Sequence, residues 1–87
     1  MNVKIQSVKF DADQKLIEFI QAKMNKLDRF AENAISAEVI MKLDKDTERG
    51  NKVVTIKLVV PGGDLVADYR SKSFEESVDE AIDALKK

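Results

Sequence analysis

The stretch from Leu16 to Phe30, LIEFIQAKMNKLDRF, constrains this chain more than any other, because its apolar residues recur at a helical period and demand something to lie against. At about 100° per residue, Leu16, Ile17, Phe19, Ile20, Met24, Leu27, Phe30 and Ala31 fall within one arc, broad enough to cover a sheet. The same helix is electrically lopsided. Lys15, Lys26 and Arg29 lie on one flank, with Lys23 inside the edge of the apolar arc, and the other flank carries Gln14, Gln21, Asn25 and Asp28.

A sheet to receive that arc is written on both sides of it. Val3 and Ile5 alternate with Lys4 and Gln6, after which Val8 and Phe10 take over the phase, predicting a first strand with a bulge or bend near Ser7. Asp11, with Gln14 three residues on, has capping-box spacing and predicts a helix start at about Ala12, with Asp13 adding charge to its first turn. Glu32-Asn33 is the expected stop. From Ile35 to Leu43, then from Val53 to Val60 and from Leu65 to Arg70, apolar and polar residues alternate at period two. A charged loop, Asp44 to Asn51, joins the first two of these strands, and the turn Pro61-Gly62-Gly63-Asp64 joins the last two. Ser73-x-x-Glu76 opens a second helix whose apolar face is Phe74, Ser77, Val78, Ala81, Ile82, Ala84 and Leu85. The order is β-α-β-β-β-α: an α+β two-layer sandwich with both helices on one face of a four-stranded sheet. The face expected to meet the helices carries Val39, Met41, Val54, Ile56, Leu58, Leu65 and Ala67.

With 87 residues and no internal repeat or linker, the chain reads as one domain, 1–87, and a chain of this size buries little more than ~60% of its unfolded surface. It contains no Cys and no His, so the usual nucleophile, general-base and metal-ligand sets are missing. Paired acids such as Asp79 and Asp83 lie on the solvent side of the second helix, where a solvated face explains them, and Gly62-Gly63 is too short to cradle a phosphate. We therefore expect no enzyme, no metal and no cofactor. The longest apolar run is too short to span a bilayer and the first residues lack a signal-peptide pattern, so the chain reads as soluble and cytoplasmic. Net charge is −1, but five acids crowd the last fifteen residues against Lys86 and Lys87. Cations thus prevail slightly in the rest. A basic stripe on an amphipathic helix is commonly a solubilising face. Lys23, Lys26 and Arg29 nevertheless sit about one turn apart, the spacing phosphate contacts require.

Four segments carry a family resemblance: Met1-Asn2-Val3-Lys4-Ile5, then Lys23-Met24-Asn25-Lys26-Leu27-Asp28-Arg29-Phe30, Val60-Pro61-Gly62-Gly63-Asp64-Leu65, and Ala81-Ile82-Asp83-Ala84-Leu85. In this order and spacing the chain resembles the ribosome hibernation-promoting factor family, also known as ribosome-associated inhibitor A or the sigma-54 modulation protein family. The resemblance implies a fold similar to double-stranded RNA-binding domains and a bacterial stress-response role, binding ribosomal RNA of the small subunit in the channel used by messenger and transfer RNA. Translation would be blocked and idle ribosomes stored. It carries the RNA contacts onto Lys23, Lys26 and Arg29 in the first helix and onto Lys86 and Lys87 at the end of the second, with Lys15 matched less closely. It is to a short form, without the further domain by which long members pair ribosomes. The acidic side of the second helix is expected to point away from RNA. The competing reading is a protein-interaction module, with no direct RNA role, that uses the other sheet face, where Ile40, Val53, Val59 and Val66 would be partly exposed and open to a partner or to self-association.

Overall fold

A computed structural model describes residues 1–45, 48 and 50–86 of the chain. The elements follow the expected order: β1 (Asn2–Val8), α1 (Gln14–Phe30), β2 (Ser36–Leu43), β3 (Lys52–Val60), β4 (Gly63–Ser71) and α2 (Phe74–Leu85). The four strands form one sheet in the order β1-β2-β3-β4, with β1 parallel to β2 and the other pairs antiparallel. α1 is the crossover that the parallel pair requires. One core cluster unites Ile20, Met24 and Leu27 of α1, Phe74, Val78, Ala81 and Ile82 of α2, and the sheet residues Ala37, Val39, Met41, Val54, Ile56, Leu58 and Ala67. Both helices therefore cover the same sheet face.

Local chemistry departs from expectation at three places. β1 holds an unbroken register with β2, from Asn2↔Ser36 to Val8↔Lys42, so no bulge interrupts it near Ser7. The phase shift arises after the strand instead: Lys9 takes φ +63°, which turns Phe10 inward to stack on Phe74 with ring centroids 5.1 Å apart. Val8 stays exposed. The cap of α1 is Asp13 and not Asp11: its Oδ1 accepts from the Leu16 amide at 2.8 Å, while Gln14 donates forward to Glu18 rather than back to a cap. The helix begins two residues later than expected. Leu65 and Leu43, though in phase with the core face, are 47% and 48% exposed, because each lies where the sheet extends past the helices.

α2 begins where the sequence places it. Ser73 Oγ accepts from the Glu76 amide at 3.1 Å, but the Ser73 amide donates to Ser71 Oγ rather than to a glutamate, which alters the reciprocal arm of the capping box. Ser71 and Ser77 then anchor the helix to the sheet: their hydroxyls lie 2.8 Å apart, and Ser77 Oγ donates to the Lys52 carbonyl at 2.7 Å. No buried side-chain nitrogen or oxygen among the described residues lacks a partner.

The far face of the sheet is more polar than an interaction patch would be. Its cross-strand rows read Lys4–Glu38–Lys57–Val66, Gln6–Ile40–Thr55–Asp68 and Val8–Lys42–Val53–Arg70. Opposite charges face one another, and Thr55 bonds Asp68 at 3.2 Å. Val53, expected to be partly exposed, is only 3% exposed between Lys42 and Arg70; Ile40 and Val59 are half-buried, leaving Val66 open at 62%. Of the four residues expected to be partly exposed, Val53 is thus the buried one, and charged side chains stand in the rows of the others.

Candidate nucleic-acid interface

The two helices run side by side in the same direction, as two contacts show. Lys23 Nζ meets Asp79 Oδ1 at 3.1 Å, and seven residues further along each helix Lys86 Nζ lies 4.6 Å from the centre of the Phe30 ring. Between them runs a groove lined by Lys23, Lys26, Asp79, Ile82, Asp83 and Lys86. Both helices consequently end at the same edge of the molecule, where their terminal carbonyls and dipoles are negative. Arg29 in the last turn of α1 and Lys86 at the cap of α2 offset that charge.

Of the residues singled out from sequence, the structure brings Lys23, Lys26 and Lys86 into this groove, and Arg29 stands ~4.5 Å along the helix axis from Lys26. Lys26 and Arg29 are exposed and hold no ion pair or hydrogen bond among the described residues. Their charge is open to a ligand. Lys23 is different: its side chain is 33% exposed, and its ammonium is shared between Asp79 and the Phe19 ring at 5.4 Å. Lys15 is exposed but lies ~16 Å up the helix from Lys26, outside the cluster. Lys87 falls outside the described residues.

Two groups that the sequence reading placed elsewhere belong here. Asp79 and Asp83 line the same groove as the lysines, so the acidic face of α2 does not point wholly away from it. Packing decides this: burying Val78, Ala81 and Ile82 turns the 79/83 edge toward α1, a rotation that the pattern of one helix alone leaves undetermined. Phe30 is the second. Assigned to the apolar arc, it is 68% exposed, since it is the last residue of α1 and stands past the buried turn of Met24 and Leu27. Its wheel position between Lys23 and Lys26 was the available signal.

Counting Arg29, four cations face two carboxylates, which leaves the surface net positive on a molecule whose total charge is −1. Among the described residues there is no group of His, Cys, Asp or Glu that would hold a metal, and no helix long and apolar enough to cross a membrane. Fold and site together define a class: a small α+β module whose distinctive surface is a cationic, aromatic-edged groove between two parallel helices.

The sequence pattern of the Sigma 54 modulation protein / S30EA ribosomal protein family matches residues 3–87, and the chain belongs to that family. Membership bears out the resemblance drawn from the four segments and places the protein among non-enzymatic, ribosome-associated factors. Among solved structures, a ribosomal subunit interface protein from Coxiella burnetii superimposes with TM-score 0.87 at 19% identity, over 99% of this chain and 90% of that one. The N-terminal domain of Protein Y from Thermus thermophilus gives TM-score 0.81 at 21% identity, over 99% of this chain and 92% of that one. These likenesses establish the shared fold. Among curated proteins none matches the chain significantly.

Proposed function

We propose that this protein binds the small ribosomal subunit in the channel used by messenger and transfer RNA, and that it inhibits translation in the cytoplasm by occupying that space. The observation that carries the reading is the open pair Lys26 and Arg29 beside Lys86, at the end where both helices terminate. Those cations meet backbone phosphates as point charges, which anchors the domain without requiring a particular base sequence. Family membership and the fold shared with a ribosomal subunit interface protein support a ribosomal partner. Lys23 contributes less than its neighbours, because Asp79 already engages its ammonium. Inhibition is steric: a folded domain with dimensions of 36 × 24 × 18 Å excludes other chains from the space it fills.

Sedimentation with purified subunits tests the reading directly. The protein should travel with the small subunit and not with the large one, and messenger RNA with initiator transfer RNA should displace it. Binding to the large subunit alone, or stable binding alongside messenger and transfer RNA, would rule out occlusion of the channel.

A further inference from the structure

Phe30 presents a large aromatic ring to solvent at a place where the fold has apolar surface nearby to hide it. It is 68% exposed while Met24 and Leu27 on the same arc are sealed in the core. The ring stands about 40° round the helix from Lys26 and about 20° from Lys23, and Lys86 reaches over it at 4.6 Å. The ring also lines a cleft of about 360 Å³ between the end of α1 and the β3–β4 hairpin, where Ala31, Pro61, Leu65 and Leu85 form apolar walls and Glu32 and Asn33 offer polar groups. A cation and an apolar slot meet at this ring.

We propose that Phe30 is a stacking platform for an unpaired RNA base, which enters the cleft beside the ring while its flanking phosphates engage Lys26, Arg29 and Lys86. The inference rests on the proposed RNA contact and adds to it a preference for unpaired nucleotides. Every base has a π face and therefore stacks on an aromatic ring whatever its identity, whereas bases inside a duplex are already stacked and out of reach. Lys86 is no obstacle: its flexible stem lets the ammonium leave the ring for a phosphate. Glu32 and Asn33 at the rim supply the acceptor and donor groups that a base edge uses. An apolar peptide would also fit the cleft, but it would leave the surrounding cations without counter-charges.

The test uses Phe30→Ala, Phe30→Leu and Phe30→Trp, with three probes: the small ribosomal subunit, a twelve-nucleotide oligoadenylate, and a blunt RNA duplex of the same length. Both Phe30→Ala and Phe30→Leu should weaken binding to the subunit and the oligoadenylate about tenfold, with the salt slope unchanged and duplex binding unaffected. Phe30→Trp should restore affinity, and because the chain has no other Trp, its emission should be quenched as the oligoadenylate binds. The proposal is overturned if Phe30→Leu binds like the parent, if the tryptophan emission does not move, or if affinity falls for the subunit alone, which would place a ribosomal protein on the ring. Loss of binding in a Lys26/Arg29 variant with none in the Phe30 variants would sink this inference while leaving the proposed function standing.

Discussion

Gly50 and Gly62 both take positive φ, at +102° and +89°, and adding a methyl group should affect them differently. At Gly62 a Cβ meets nothing within 4 Å, so Gly62→Ala carries only the backbone strain, about 1–3 kcal/mol. At Gly50 the same Cβ runs into the backbone of Ser71 and comes within 2.6 Å of the Lys72 nitrogen, so Gly50→Ala should cost clearly more. Equal losses on denaturant titration would show that the two backbones do not approach as described. Side chains obey the alternation read from sequence more faithfully. Ile56 is fully buried and Thr55 faces the far side, so Ile56→Ala should lower stability by about 2–5 kcal/mol and Thr55→Ala far less. The inward face was legible because period two leaves only two choices. Exposure at its margins was not: Leu65 has the same phase as Ala67 but lies beyond the reach of the helices, and no local pattern encodes where a neighbouring helix stops.

Element by element, type and order were legible while ends and rotations were not. Asp11 and Asp13 are chemically equal candidates for a cap, and the choice fell to Asp13 because Lys9 and Phe10 take up the turn that closes the core. At the end of β2, Asp44 accepts from the Lys45 amide and from Arg70, each at 2.7 Å. The Lys45 hydrogen bond first, and then Arg70, hold its carboxyl below the ordinary 3.8. Its contribution to stability is therefore present above that ordinary value and lost as pH falls through the lowered one; Asp44→Asn should remove this part of the acid dependence of melting. The rotation of α2 matters more for function. Since Asp79 and Asp83 line the groove with the lysines, neutralising them with Asp79→Asn and Asp83→Asn frees Lys23 and removes two charges that repel phosphate. Small-subunit binding should tighten, whereas Glu76→Gln, away from the groove, should change it little. Weaker binding in the double variant would mean that these carboxylates make an essential contact of their own.

For the molecule as a whole, the proposed RNA contact requires a chain of net charge −1 to hold a polyanion, and what would allow it is where the charge sits. Opposite charges face one another across the far side of the sheet, and Lys23 is matched by Asp79, so Lys26 and Arg29 are the cations of the groove edge left open beside Lys86. Screening confines each charge to a Debye length of about 8 Å at physiological salt, so a surface phosphate responds to this local excess and not to the total. Affinity resting on few phosphate contacts should weaken as salt rises with a shallow slope, and each contact removed should reduce its magnitude by roughly one. Lys26→Ala with Arg29→Ala should accordingly lose small-subunit binding and translation inhibition, with a flatter salt dependence and an unshifted thermal transition, since both side chains are exposed. Lys23→Ala should behave otherwise, giving up some stability because its side chain is only 33% exposed and meets Asp79 and Phe19, with a smaller loss of binding. If sedimentation instead shows the double variant bound as tightly as the parent, with the same salt slope, the basic flank is a solubilising face and the anchoring charges lie elsewhere on the fold.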